Sequence, residues 1–227
     1  ILFRLVGSEM CIRDRPEEIP LIGFCGSPWT LAAYSIEGRS SKDFEKTLGF
    51  LESNQKDVHD LLTKYTDACF LYLRKQVQSG ADVIQIFDSW ANLLTKEDLI
   101  EFSFNYINSL ISALKLDPIT KNIPVIIFAR NPKCNIEELI NTSADCISLF
   151  WSMNDLNFEV AKNKVAIQGN LDPKILLESD ETIKRETYKI LERFKEYPGY
   201  IFNLGHGITP DISPDKIKYL TNIVREY

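Results

Sequence analysis

Seven side chains that can bind or react with a ligand follow short apolar segments of this 227-residue chain. They are Tyr34, Ser89, Trp90, Arg130, Asn170, Asp172 and His206. The imidazole of His206 can donate or accept a proton near neutral pH. Its neighbours Gly205 and Gly207 allow the backbone to come close to a ligand. This combination predicts that His206 belongs to a binding or catalytic site, and the alternative is a histidine that only ends a strand.

The other candidates each have a functional and a structural interpretation. In Asp88-Ser89-Trp90 the Ser89 hydroxyl can hydrogen-bond a substrate carboxylate beside a Trp90 pocket wall, or Asp88 or Ser89 can form an Asx or Ser turn that closes the strand. Tyr34 can face the strand ends, or it can be a buried tyrosine bonded to backbone. Arg130 is an additional candidate that can supply positive charge, although a single loop arginine is usually solvated. Asp172 is either a ligand group or a helix cap.

The six apolar segments that precede these residues have the composition of buried parallel strands. They are rich in Ile, Val and Phe without strict alternation, which is typical of a parallel sheet covered on both faces. The segments are 21–25, 83–87, 124–128, 146–150, 165–168 and 200–204. If these strands run in one direction, the polar groups that follow them lie on one face of the molecule.

Stretches with helical periodicity separate the strands, and this alternation favours βα units on a parallel sheet. The predicted helices cover about 54–79, 95–114, 179–194 and 213–224. No G-x-G-x-x-G turn follows a strand, which argues against a nucleotide-binding doubly wound sheet. We therefore predict an α/β fold of the (β/α)₈ TIM type that is incomplete, with about six of its eight units.

The N-terminal segment, residues 1–15, differs from the remainder of the chain. Its apolar stretch is interrupted by Arg4 and lacks a small-residue cleavage site, so it is a poor signal peptide. We predict that residues 1–15 are a non-native leader and that residues 16–227 form the partial barrel domain.

Composition excludes several classes of function. The net charge of −6 argues against a nucleic-acid binder, and no apolar run approaches the roughly 18 residues of a membrane span. The five cysteines are widely spaced without a C-x-x-C pair, which indicates neither a disulfide framework nor a metal site and fits a reducing cytoplasm. A serine hydrolase is not favoured, because no G-x-S-x-G elbow surrounds Ser89.

Four segments taken together, 20–31, 80–90, 168–173 and 202–207, resemble the uroporphyrinogen decarboxylase family in order and with compatible spacing. The resemblance implies a (β/α)₈ barrel and a cofactor-free carboxy-lyase of haem and chlorophyll biosynthesis. That enzyme removes carboxyl groups from the four acetate side chains of uroporphyrinogen III to give coproporphyrinogen III. The resemblance also implies a homodimer.

By motif position, the resemblance implies that Tyr34, Ser89 and His206 contact the substrate, and that Arg130 stands where relatives often carry lysine. Phe150 departs from the family pattern, because relatives usually have an aspartate there. The family's first two strands, an arginine-rich loop and the aspartate that hydrogen-bonds the pyrrole nitrogens have no counterpart here. That fixed carboxylate would stabilise the protonated pyrrole, so we assign no catalytic residue and expect this C-terminal two-thirds to be inactive alone.

Two other functions remain open at this stage. A zinc- and cobalamin-dependent methyltransferase shares the barrel, but the His-x-Cys motif expected after its strand is replaced by Phe128-Ala-Arg130. A non-catalytic barrel remnant that serves as a binding module would also explain the absent aspartate.

Overall fold

Six parallel strands form one open sheet in the computed structural model, which describes residues 15–16, 18–39, 41, 43–154 and 157–227. The strands follow chain order, and each pairs with the next. They are β1 (Ile22–Gly26), β2 (Val83–Asp88), β3 (Val125–Ala129), β4 (Cys146–Ser148), β5 (Ala166–Gln168) and β6 (Tyr200–Ile201). The predicted strands and their parallel direction are confirmed, and the barrel is not closed within the described residues. Apart from Arg15, the expected leader lies outside those residues.

The helices lie between the strands, as their periodicity predicted. They are α1 (Pro28–Glu37), α2 (Glu45–Ser53), α3 (Gln55–Gln78), α4 (Lys96–Asp98), α5 (Asn105–Leu116), α6 (Ile136–Ile140), α7 (Asp180–Phe194) and α8 (Pro214–Glu226). A π-helical segment, Leu99–Phe104, joins α4 to α5, so the helix predicted over 95–114 changes its hydrogen-bonding pattern in the middle. Such segments are uncommon and are often found near functional sites.

Side chains alternate between the two faces of the sheet. Ile84 and Ile86 of β2 and Ile127 of β3 are almost fully buried against the helices. Residues with the opposite parity, such as Phe87 and Phe128, point to the concave face, because neighbours in strand register share a face. The helix-covered face therefore forms the main core, and the concave face is free to form a site.

The edge strand β1 leaves apolar side chains exposed on the concave face. Phe24 is 61% exposed and Ile22 is 46% exposed, although both belong to a strand. Among the described residues β1 pairs only with β2, so nothing covers these side chains from the other side. In a closed barrel the same positions would be part of the interior.

Candidate functional site

A cavity of about 410 Å³ opens on the concave face at the carboxyl ends of the strands. Ser89, which follows β2, and His206, which follows β6, both line it. Its other lining residues are Gln85, Phe87, Phe128, Ser148, Asn203, Leu204, Gly207 and Ile208. The structure therefore brings together two of the three principal candidates, which are 117 positions apart in the sequence.

The floor of this cavity is formed by Phe87, Phe128 and Ser148, and the buried Gln168 lies next to Ser148 in the same layer. Phe87, Phe128, Ser148 and Gln168 occupy paired positions on β2, β3, β4 and β5. The Phe87 and Phe128 ring centres are 5.9 Å apart, and Gln168 Nε2 donates to Ser148 Oγ at 3.0 Å. The floor is thus aromatic on one side and carries a buried amide–hydroxyl pair on the other, which suits a ligand with apolar rings and polar substituents.

His206 lies at the mouth of the cavity between two phenylalanine rings. Its ring centre is 6.3 Å from that of Phe128 and 6.0 Å from that of Phe150, in edge-to-face arrangements. Its Nδ1 donates to the Gly207 carbonyl at 3.3 Å, because a carbonyl oxygen can only accept. The neutral tautomer that makes this bond leaves the other ring nitrogen, Nε2, as a hydrogen-bond acceptor.

The position of His206 depends on close packing of the preceding glycine. A Cβ atom at Gly205 would lie 2.4 Å from the backbone nitrogen of Trp151. Gly205 therefore lacks a side chain so that its backbone can pack against the loop after β4. The sequence had suggested instead that this glycine lets the backbone come close to a ligand. Phe150, in the same loop, is buried and packs edge-to-face against the His206 ring.

Ser89 is held in place by a buried carboxylate that the sequence interpretation overlooked. Asp88, the last residue of β2, is 1% exposed and accepts hydrogen bonds from the hydroxyls of Ser27, Thr30 and Ser103. Burial raises the pKa of the Asp88 carboxyl, and this effect outweighs the hydrogen bonds that favour its charged form. The available signal was the Ser-Pro-Trp-Thr sequence, in which Ser27 caps α1 and directs two hydroxyls toward the strand end.

Tyr34 and Arg130 lie beside the cavity at Trp90 and are not among its lining residues within the described structure. The ring of Trp90 contacts that of Tyr34 at 5.7 Å between centres and that of Phe44 at 4.3 Å. The guanidinium carbon of Arg130 lies 5.4 Å from the Trp90 ring centre. Tyr34 is 40% exposed. The alternative prediction, that it is a buried tyrosine bonded to backbone, is therefore wrong.

Asn170 and Asp172 have structural roles. Asn170 is buried, and its Nδ2 donates to the Phe150 carbonyl and to Asn154 Oδ1, each at 3.2 Å. Asp172 accepts from the Lys174 backbone nitrogen at 3.0 Å and caps the short helix Pro173–Leu177. Neither residue lines the cavity that contains His206.

In the described residues, His, Cys, Asp and Glu side chains do not gather in threes at any point that could hold a metal ion. No helix of the described chain combines the length and the apolar character needed to cross a bilayer.

The sheet and the cavity define an α/β protein of the parallel-barrel type, with its candidate site at the carboxyl ends of the strands. A family profile described as "Uroporphyrinogen decarboxylase (URO-D)" matches residues 8–227. The chain belongs to the uroporphyrinogen decarboxylase family.

Curated relatives agree with this membership. The proteins named uroporphyrinogen decarboxylase from Ruthia magnifica subsp. Calyptogena magnifica and from Aquifex aeolicus are 42% and 40% identical to this chain. The alignments cover 92% and 95% of this chain, and 61% and 63% of those relatives. The chain therefore spans about three fifths of the length of these relatives.

Solved structures share the fold. A methyltransferase from Methanosarcina mazei superposes with a TM-score of 0.73 at 20% identity, over 96% of this chain and 61% of that one. A dihydropteroate synthase (FolP) from Thermus thermophilus gives a TM-score of 0.53 at 14% identity, over 94% of this chain and 72% of that one. At such identities the likeness concerns the fold alone, and it confirms the predicted barrel-type architecture.

Proposed function

We propose that this chain provides the substrate-binding strands of a uroporphyrinogen decarboxylase, a carboxy-lyase that converts uroporphyrinogen III to coproporphyrinogen III. The observation that carries the proposal is the family match over nearly the whole chain, together with a cavity that contains Ser89 and His206. The aromatic floor formed by Phe87 and Phe128 is compatible with the pyrrole rings of a tetrapyrrole.

The proposed contacts follow from the chemistry of each side chain. The Ser89 hydroxyl donates to a substrate carboxylate, and His206 offers its Nε2 to the ligand. Arg130 supplies positive charge at the rim, where carboxylates of the ligand would lie, and Trp90 holds its guanidinium. Tyr34 acts from the outer side of Trp90, either by direct contact with a large ligand or by support of that ring.

The chain is proposed to bind without catalysing the reaction alone. Decarboxylation requires a pyrrole carbon to accept a proton, and a fixed carboxylate must stabilise the resulting cationic ring. The buried carboxylate near the cavity, Asp88, is fully engaged by protein hydroxyls and is not available for that role. No cofactor is invoked, and a cytoplasmic homodimer is the proposed state of the full-length protein, with residues 16–227 as its partial barrel domain.

A chimera tests the proposed activity. The segment of the Aquifex aeolicus relative that precedes its matched region is fused before residue 16, and uroporphyrinogen III turnover is followed under anaerobic conditions. We expect the chimera to form coproporphyrinogen III and the 227-residue chain to form none. A chimera that melts cooperatively but shows no turnover would contradict the proposal, and binding without turnover would favour the non-catalytic module.

Single substitutions in the chimera assign the activity to the cavity. His206→Ala is expected to lower kcat/KM by about three- to tenfold, because the acceptor Nε2 loses one hydrogen bond from a neutral donor of the ligand such as a pyrrole N–H. Ser53→Ala is the matched control, because the Ser53 hydroxyl is exposed on α2 and donates only to the Gly49 carbonyl. Equal rates for His206→Ala and the parent would remove this residue from the site.

A further inference from the structure

The backbone N–H of Ser89 is linked to one carboxylate outside the cavity. The Ser89 backbone nitrogen donates to Thr30 Oγ1 at 2.9 Å, and Thr30 Oγ1 donates to Asp88 Oδ1 at 3.1 Å. The orientation of the Ser89 amide therefore depends on Asp88 through the Thr30 hydroxyl.

The direction of these hydrogen bonds requires an acceptor at Asp88. A hydroxyl has one proton to donate, and the Thr30 oxygen already accepts from the Ser89 amide, so its own proton points to Asp88 Oδ1. Ser27 Oγ also donates to Oδ1, at 3.0 Å, and accepts from the Thr30 backbone nitrogen. This arrangement fits an acceptor carboxylate next to the amino end of the ten-residue helix α1.

The sheet itself does not fix Ser89. The β2–β3 ladder ends with Asp88 opposite Ala129, and its last backbone bond runs from the Arg130 nitrogen to the Asp88 carbonyl at 3.0 Å. The Ser89 amide turns away from β3 and toward α1 instead. Its orientation is therefore set by side chains from another element, which a substitution can remove without disturbing the ladder.

We propose that Asp88 is a positioning residue for the cavity: through the Thr30 hydroxyl it fixes the Ser89 peptide, and with it the direction of the Ser89 hydroxyl toward the ligand. The series Asp88 Oδ1, Thr30 Oγ1 and Ser89 N is called the Asp88 relay below. The second carboxylate oxygen, Oδ2, accepts from Ser103 of the π-helical segment and leads away from Ser89. The ligand-binding consequence rests on the proposed function, whereas the effect on the Ser89 peptide does not.

Three substitutions in the 227-residue chain separate positioning from simple stability. Thr30→Val has the same shape and removes only the relay, and Asp88→Leu has a similar size but removes both acceptor oxygens. Ser103→Ala is the matched control, because it removes a hydrogen bond from the same carboxylate at the other oxygen. The readouts are the dissociation constant for uroporphyrin III and the resonance and hydrogen exchange of the Ser89 amide in ¹⁵N-labelled protein.

We expect Thr30→Val and Asp88→Leu to weaken uroporphyrin III binding by about tenfold and to shift the Ser89 amide resonance and speed its exchange. Ser103→Ala is expected to change the dissociation constant by less than about twofold, with the Ser89 resonance in place. If Ser103→Ala is as harmful as Thr30→Val, or if Thr30→Val binds like the parent, the relay has no positioning role. If the parent chain does not bind uroporphyrin III, the proposed function fails, and the Ser89 amide readout alone decides on the relay.

Discussion

The guanidinium of Arg130 lies over the ring of Trp90, with 5.4 Å between its central carbon and the ring centre. The two residues follow different strands, β3 and β2, so their contact joins neighbouring strand ends beside the cavity. A cation over the face of an indole is held electrostatically, and its hydrogen-bond donors remain available. Under the proposed function, this cation attracts the carboxylates of the ligand.

The charge of Arg130 is predicted to matter more than its shape. Arg130→Gln should weaken uroporphyrin III binding by about tenfold, because a charge-assisted hydrogen bond is lost, whereas Arg130→Lys should retain most of the affinity. Titrations at low and high salt check this, because screening should reduce the difference between the parent and Arg130→Gln. Equal affinities for parent and Arg130→Gln at low salt would show that Arg130 does not face the ligand.

The two glycines around His206 are predicted to differ sharply in how well they tolerate substitution by alanine. Gly205→Ala places a Cβ within 2.7 Å of three Trp151 atoms, two of them backbone, and should destabilise the fold by roughly 1–3 kcal/mol. Gly207→Ala is the matched control, because a Cβ there meets nothing within 4 Å, and its effect should stay within about 0.5 kcal/mol. Urea unfolding of both variants measures the difference. A Gly205→Ala variant as stable as Gly207→Ala would contradict the close packing of this loop.

Two buried or paired carboxylates are predicted to give opposite dependences of stability on pH. Burial raises the pKa of Asp88 above its ordinary value of 3.8, so its contribution to stability is fully present below that value and is lost as pH rises through the folded-state pKa. Partial burial opposes ionisation of Asp117, but hydrogen bonds from Arg74 and two backbone amides lower its pKa. The stabilising contribution of Asp117 is therefore present above the unfolded-state pKa and is lost as pH falls through the folded-state value.

Urea unfolding between about pH 3 and pH 7 checks both signs. The free energy of unfolding of Asp88→Asn, taken relative to that of the parent, should increase as pH rises. The reason is that only the parent loses stability when this carboxyl ionises. The relative free energy of unfolding of Asp117→Asn should decrease over the same range, because only the parent gains stability when Asp117 ionises. Slopes of the same sign for the two variants would show that one of these pKa directions is wrong.

The exposed ring on β1 is predicted to promote self-association. Phe24 is 61% exposed on an edge strand. Its ring packs on one side against the ring of Phe87, with 5.9 Å between the ring centres. Phe24→Gln should reduce concentration-dependent association with little loss of stability, because an unpaired edge with apolar side chains is a ready surface for pairing. Tyr72→Gln is the control, since Tyr72 is similarly exposed, at 59%, on helix α3. Sedimentation velocity distinguishes the outcomes, and equal association of parent and Phe24→Gln would contradict the prediction.

The sequence located the strands better than it located their ends. The apolar segments 146–150 and 200–204 extend beyond β4, which ends at Ser148, and β6, which ends at Ile201. Phe202 and Leu204 pack on a second apolar cluster formed with α7 and α8. Phe150 is buried in the main core and packs against the ring of His206. Hydrophobicity records burial without recording which surface buries the side chain, so the segments alone could not separate these cases.

The site was predicted in part for a similar reason. Ser89 and His206 were found because each follows a strand, and the parallel direction of the strands brings them to one cavity. Asp88 was missed because an aspartate after a strand also forms turns, and its partners Ser27 and Ser103 lie 61 and 15 positions away. Likewise, helical periodicity over 95–114 could not reveal that the π-helical segment directs Ser103 toward that carboxylate.

Equilibrium titration of the 227-residue chain with uroporphyrin III tests the central claim most directly. We predict saturable binding at one site, and a loss of affinity of at least about tenfold in the double variant Ser89→Ala/His206→Ala, with Ser53→Ala unchanged. Binding that is absent in the parent, or equally tight in the double variant, would contradict the assignment of this cavity as the tetrapyrrole site.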